Sequence, residues 1–265
     1  MFENTYLVTD KLATFTHADI DAAETELGTR FPDGYREYMT TFGKGEYCNY
    51  INVSTPQMIV KDQMGEKPPL QQFCNSWDGS EFGITPERLA KAILLGNSID
   101  GDWIIFEAGL PDAVYVLPES EYIFYSGGLN LLDALDRTCK IGGRSEFRYF
   151  NSHINQKQAS LPRAMRSSLE HFRDWVTAVG EYDHLDIQWD NTPSITLDMY
   201  TTLKLNMGMV APELSNVVAF YKSFGGFIWA ESLPDGGLYA ELVHDADKDM
   251  ALMQKILAYL RSKAA

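Results

Sequence analysis

Hydrophobic residues in the first part of the chain recur at helical spacing. The first apolar stripe consists of Ile20, Ala23 and Leu27, and the second of Tyr35, Met39 and Phe42. Residues that recur three or four positions apart lie on one face of an α-helix. The pattern therefore predicts two short amphipathic helices, joined by a turn at Phe31-Pro32.

Residues typical of helix ends bracket both stripes. Thr16 can cap the first helix through its hydroxyl, and Asp19 lies where a negative charge favours the helix dipole. Gly28 is typical of a left-handed helix end. Pro32 fits the first turn of the second helix, and Gly43 its end. These signals predict a helix–turn–helix segment that stops at residue 43.

Apolar runs between residues 45 and 140 are short and alternate with turn residues. They predict strands over 45–53, 93–97, 103–107, 113–117 and 121–125, followed by a helix over 129–135. Thr85-Pro86 predicts the start of a further short helix, and the polar segment 61–83 a long loop. This order of elements predicts an α+β domain.

The C-terminal half shows a second series of helical and alternating patterns. Its predicted elements are a helix over 161–179, strands over 184–190 and 195–205, a helix over 212–224, a hairpin over 227–243, and a last helix capped by Asp245. We therefore predict an α+β fold in two domains. A mixed sheet flanked by helices occupies 1–140, a connector 141–160, and a second small α+β domain 161–265.

The N-terminal pattern resembles the SUKH superfamily. The signature of that family is a helix ending in Leu-Gly, an apolar-Pro step, Tyr with a second aromatic, and a glycine, and here it corresponds to Leu27-Gly28, Phe31-Pro32, Tyr35, Tyr38 and Gly43. The strands, Gly101-Asp102 and the closing helix are similar to the second half of a SUKH domain. The resemblance covers residues 10–140, and it departs from the family where Phe42-Gly43-Lys44-Gly45 replaces Asn-Gly.

Function follows from this resemblance as an expectation. Most characterised bacterial SUKH proteins are immunity proteins that neutralise a secreted toxin, and fungal relatives regulate cell-wall synthesis. The resemblance thus implies a non-catalytic immunity protein that binds and occludes a cognate toxin. The alternative is a regulatory or scaffold protein of the fungal type. An enzyme in the C-terminal half is a third possibility, and the oligomeric state has no sequence signal.

Charge sharpens the expected class of partner. The 265 residues contain 37 acidic and 22 basic side chains, a formal net charge of −15. Such a surface repels phosphate backbones and anionic lipids and attracts basic proteins, although acidity also serves solubility alone. No secretory signal and no apolar run long enough for a membrane helix is evident, so we predict a cytoplasmic protein that binds neither nucleic acid nor membrane.

Candidate catalytic and metal-binding residues do not form a recognisable motif. His184 with Asp186, and His244 with Asp245 and Asp247, lack the further ligands that a zinc site needs. The three cysteines, Cys48, Cys74 and Cys139, form no Cys-x-x-Cys pair, which favours reduced thiols. We expect no catalytic residue, no metal and no cofactor.

A partner-binding surface is predicted from acidic residues and one loop tryptophan. Exposed aromatic residues anchor interfaces, and carboxylates complement a basic partner. Trp77 can instead fold back on its own domain, in which case it forms no contact with a partner. The candidate residues are Trp77, Asp78, Glu81, Asp100, Asp102, Glu119 and Glu121.

Overall fold

The chain folds into two compact units, Met1–Asn155 and Gln156–Ala265. In the computed structural model, the residues described are 1–64, 86–118, 125–144, 146–160, 169–190, 213–232, 238–248 and 251–263. Both units combine a β-sheet with helices, so the predicted α+β class is confirmed. None of the helices within these ranges is long and apolar enough to cross a membrane.

The first unit is built on a mixed sheet. Its strands are β1 (Tyr6–Leu7), β2 (Glu46–Tyr47), β3 (Ile51–Val53), β4 (Ala92–Ser98), β5 (Trp103–Glu107), β6 (Leu110–Leu117), β7 (Tyr125–Gly128) and β8 (Tyr149–Asn151). They lie in the order β1-β8-β2-β3-β4-β5-β6-β7. The β1–β8 pair is parallel, and the neighbouring β8–β2 pair is antiparallel.

Helices accompany this sheet in the first unit. They are α1 (His17–Leu27), α2 (Tyr35–Thr41), α3 (Pro56–Gln63), α4 (Pro86–Leu89) and α5 (Leu131–Ile141). The predicted cap of α1 is confirmed, because Thr16 and Asp19 form a reciprocal capping box. Helix α2 begins at Tyr35 instead of Pro32, because the Tyr35 amide donates to the Pro32 carbonyl and closes a turn first, 3.1 Å. Helix α3 was not predicted, although Thr55 caps it and Pro56 opens it.

The inner face of the sheet is the one that carries α2. Tyr35, Met39 and Phe42, the predicted stripe, are buried together with Tyr38. The rings of Phe42 and Phe150 stack with centroids 5.1 Å apart. Phe31 stacks on Tyr35 and lies 6.2 Å from the ring of Phe106 in β5. Phe106 therefore marks the inner face, and the residues on either side of it in β5 point outward.

Two further differences concern the end of the first unit. Residues 126–128 continue strand β7 instead of leading into a helix, and α5 starts later, at Leu131, under an Asn130 cap. Within 141–160, the range predicted as a connector, Tyr149–Asn151 joins the first sheet and Gln156–Ser160 the second. The buried Cys48 and Cys139 are free thiols.

The second unit is an antiparallel sheet covered by helices. Its elements are β9 (Gln156–Ser160), α6 (Leu169–Val179), β10 (His184–Asp190), β11 (Glu213–Tyr221), β12 (Gly226–Ser232), β13 (Leu238–Asp245) and α7 (Ala251–Lys263). The strand order is β10-β11-β12-β13-β9. Phe172 and Val176 of α6 and Ile256 of α7 pack into one buried cluster with residues of the inner sheet face.

Several predictions in this half were wrong. Residues 213–221 form strand β11, not a helix, because Val217 to Tyr221 are consecutively apolar and β-prone, and both faces of the strand are buried there. Asp245 ends β13 and does not cap a helix, since α7 begins at Ala251. The predicted hairpin and the strand over 184–190 are confirmed. The strand predicted over 195–205 lies outside the ranges given above.

Gly43 offers a test of how α2 is joined to the preceding chain. It has φ +73°, and an added Cβ would lie 1.9 Å from the Ala13 carbonyl oxygen, whereas Gly28, with φ +67°, has nothing within 4 Å. We expect Gly28→Ala to cost about 1–2 kcal/mol for the left-handed backbone alone. Gly43→Ala should cost about 1–3 kcal/mol more, because the Ala13–Gly43 contact must open. Urea denaturation of the full chain measures both, and equal losses would contradict the steric explanation.

Candidate partner-binding surface

A row of directly paired side chains crosses the outer face of the first sheet. Opposite residues in antiparallel strands share a face, and Trp103 is on the face opposite Phe106. The row, called the outer row below, consists of Asn151, Glu46, Asn52, Asn97, Trp103 and Leu117. Asn52 and Asn97 at its centre are exposed. The outer row therefore presents amide groups between a polar end and an aromatic end.

The aromatic end is consolidated by an arginine from α4. Arg88 donates to Glu107 through Nε at 2.8 Å and to the Tyr115 hydroxyl through Nη2 at 2.9 Å. Its guanidinium also lies over the Tyr115 ring, 5.6 Å from the centroid. Trp103 and Tyr115 are half-buried and pack against buried Ile105. This end thus offers aromatic surface whose neighbouring charges are already paired.

The polar end holds a contact between a histidine and a carboxylate, which joins β2 to the segment after β8. His153 Nε2 lies 3.1 Å from Glu46 Oε2, and this contact lowers the pKa of the Glu46 carboxyl. Asn151 Nδ2 donates to Asn49 Oδ1 at 3.3 Å. Asn49 and His153 both have positive φ, which is uncommon for residues other than glycine. Sequence reasoning missed this group, since Glu46 and Asn151 are brought together only by strand pairing.

The hairpin between β4 and β5 holds both sequence-predicted carboxylates that the structure describes. Residues 99–102 form its tip, called the acidic tip below. Asp102 is only 5% exposed, and its Oδ2 accepts from Ser98 Oγ at 2.8 Å. The Tyr50 hydroxyl lies 3.0 Å from an oxygen of Asp100 and 3.0 Å from one of Asp102. Asp102 therefore stabilises the tip as a buried hydrogen-bond acceptor. Asp100 is exposed and is the carboxylate that a partner can reach.

Tyr50 links the acidic tip to the end of α5. Burial raises the pKa of Tyr50, so its hydroxyl stays protonated and donates. The Arg144 guanidinium lies 4.5 Å from the ring centroid, and a Cβ on Gly142 would lie 2.3 Å from the hydroxyl. Ile99, whose amide donates to the Tyr50 carbonyl, is 57% exposed, and Ile141 beside Gly142 is 39% exposed. Two exposed isoleucines thus accompany Asp100 around one tyrosine.

The other predicted partner-binding residues lie outside the part of the chain that the structure describes. They are Trp77, Asp78, Glu81, Glu119 and Glu121. Of the residues the structure does describe, it brings Asp100 and Asp102 together at the acidic tip. It also adds Ile99, Asn97 and Asn52, which carried no signal in the sequence because single exposed residues resemble any solvated surface.

The histidine and carboxylate pairs noted in the sequence have ordinary surroundings. His244 is buried, with Nδ1 2.9 Å from the Asp245 carbonyl oxygen. Burial lowers the pKa of His184, and the negative charge of Asp186 opposes that shift. Over the described ranges, no group of three His, Cys, Asp or Glu side chains is placed to hold a metal ion.

A family model matches part of the chain. Residues 14–128 match the SMI1 / KNR4 family (SUKH-1). This segment runs from the residues before α1 to the end of β7, and it contains the outer row from Glu46 to Leu117 together with the acidic tip. A comparison of the chain with curated proteins finds no match.

Two tyrosine hydroxyls test whether Tyr50 holds the acidic tip. Tyr50→Phe removes the donor to Asp100 and Asp102, and we expect a loss of about 1–2 kcal/mol because the buried Asp102 carboxylate loses a partner. The control is Tyr38→Phe. The Tyr38 hydroxyl is buried without a hydrogen-bond partner in the described structure, so its removal should be neutral or stabilising. Denaturation midpoints compare the variants, and a Tyr38→Phe loss as large as that of Tyr50→Phe would refute this role.

Proposed function

We propose that this protein is an immunity protein, because residues 14–128 match the SMI1 / KNR4 family (SUKH-1), a branch of the SUKH superfamily. It binds a cognate secreted toxin and blocks the toxin's active site or its access to substrate. The family match carries this proposal. Inhibition by occlusion is stoichiometric, so the mechanism assigns no catalytic residue and no cofactor to the chain.

The contact surface that we propose combines the outer row with the acidic tip. Trp103 supplies partly exposed aromatic surface, and the exposed Asn52 and Asn97 supply amide donors and acceptors. Ile99 and Asp100 extend this surface at the hairpin between β4 and β5. Interfaces commonly combine an apolar anchor with a polar surround, and the outer row and acidic tip together have both.

Charge supports a basic toxin as the partner. The net charge of −15 attracts a cationic protein over a distance set by the ionic strength. Such attraction raises the association rate more than the final affinity. We place the protein in the cytoplasm, where it meets toxin that has entered the cell or has been made there.

The function is tested by co-expression with the product of a neighbouring toxin gene. The toxin should be lethal alone and harmless beside this protein, and the two should elute together from gel filtration in a fixed ratio. If no toxicity is suppressed and the protein instead retains enzymes or regulators of cell-wall synthesis, the regulatory scaffold of the fungal type replaces immunity.

The surface is tested with variants at its exposed positions. Asn52→Arg combined with Asn97→Arg places two long cationic side chains on the outer row, and we expect toxin binding to weaken roughly tenfold or more. The matched control, Gln57→Arg combined with Met58→Arg at exposed positions of α3, adds the same two side chains to a helix and should leave affinity unchanged. Calorimetry measures both, and equal effects would place the interface elsewhere.

Asp100 is tested separately through kinetics. Asp100→Lys should slow association severalfold at low salt and have less effect at high salt, because screening removes the attraction. Glu26→Lys makes the same charge change on exposed α1 and should have a smaller effect. Stopped-flow association at two salt concentrations distinguishes them. Equal slowing by the two variants would show that total charge matters and that Asp100 has no particular role.

A further inference from the structure

The outer face of the second sheet carries two aromatic and two acidic side chains in alternation. On adjacent strands β12 and β13, Trp229 lies opposite Glu241, and Glu231 lies opposite Tyr239. Paired residues share a face, and so do residues two apart on one strand. The four side chains, called the aromatic–acidic square below, are therefore neighbours. The rings of Trp229 and Tyr239 meet edge to face with centroids 5.6 Å apart.

The two glutamates of the square occupy its other diagonal. Burial raises the pKa of both Glu231 and Glu241, and desolvation is the cause for each. Glu241 Oε1 is buried and has no hydrogen-bond partner in the described part of the chain. Both carboxylates have lost part of their hydration, on the same sheet face as the two rings. The square thus concentrates negative charge beside an aromatic pair.

The side chains paired with the square across neighbouring strands, within the part of the chain that the structure describes, carry no positive charge. One row is Asp186, Val218, Trp229, Glu241 and Ser160, and the next is Gln188, Asn216, Glu231 and Tyr239. Lys157 of β9 pairs with His244 of β13. Because side chains alternate along a strand, this pair lies on the opposite face of the sheet from Glu241 and Val243. Among these paired residues, the only charged side chains are the three carboxylates.

The square is accessible, whereas its apolar surroundings are not. Trp229, Glu231, Tyr239 and Glu241 are each partly exposed. Two apolar neighbours of Trp229 on the same face are buried. They are Val218, its partner on β11, and Phe227, two residues before Trp229 on β12. A ligand can therefore reach the ring edges and carboxylates beside buried apolar side chains, in a setting where a cation gains more than it would in open solvent.

We propose that the aromatic–acidic square of the second sheet binds an arginine side chain of a basic protein segment. A guanidinium is flat, stacks on an aromatic ring and donates in a fork to carboxylates, and the square supplies both kinds of partner. The proposal gives the C-terminal unit a binding role of its own. It does not depend on immunity, because it concerns another unit and another surface.

Binding is tested on the full-length protein with a defined probe. The probe is the peptide Ac-Gly-Arg-Gly-Arg-Gly-NH2, and its citrulline counterpart has nearly the same shape without the charge. We expect the arginine peptide to shift the indole N–H resonance of Trp229, identified by Trp229→Phe, and the citrulline peptide to leave it unchanged. No shift with the arginine peptide at millimolar concentration would overturn the proposal.

Charge-matched variants separate the square from the general acidity of the protein. Glu231→Gln combined with Glu241→Gln should weaken peptide binding about tenfold. The control removes two charges from exposed positions of the same unit, Glu170→Gln with Glu181→Gln, and should weaken it little. Equal losses would show that the peptide responds only to net charge, which would overturn the proposal.

A stability measurement tests the same square without a ligand. Because the folded protein disfavours the charged form of Glu241, removal of that charge at pH 7 should stabilise the fold. We expect Glu241→Gln to raise Tm and Glu181→Gln, at an exposed position of the same unit, to leave it unchanged. A lowered Tm for Glu241→Gln would show that the carboxylate is already paired within the chain, and the proposal would fail even if the toxin is bound as proposed above.

Discussion

The packing of α2 against one face of the first sheet is the constraint on which the rest of that unit depends. Tyr35, Tyr38, Met39 and Phe42 are buried together, and Phe42 stacks on Phe150 of β8. A seven-residue helix is too short to be stable alone. Packing on the sheet therefore stabilises α2, and α2 in turn buries this face of the sheet. Because this face is occupied, the other face of the sheet is the one that presents the amides, Trp103 and Tyr115.

Local signals predicted helix α1 and both of its ends well. Thr16, Asp19 and Gly28 act through their own backbone neighbours, so their roles are visible in a short stretch of sequence. The apolar run at 217–221 shows the limit of such reasoning. Its residues fit the buried face of a helix as well as a strand with two buried faces, and only the pairing with β10 and β12 decides between them.

The candidate surface was only partly predictable, because it is made by contacts between distant parts of the chain. Glu46 and Asn151 pair across more than a hundred positions, and no local pattern connects them. Asp100 and Asp102 look equivalent in the sequence. Ser98 makes them different, since its hydroxyl donates to the buried Asp102, whereas Asp100 is exposed. Charge alone therefore picked out both carboxylates without separating their two roles.

Strand β8 shows that the segment recognised by homology and the segment that can fold are not the same. The family match ends at residue 128, yet β8 lies between β1 and β2 and pairs with both. A polypeptide cut at the end of the match would lose the partner of β1, leave β2 as an unprotected edge and uncover Phe42 where Phe150 now stacks. An expression fragment meant to preserve this domain must extend through Asn151, well beyond the matched residues, or it invites aggregation.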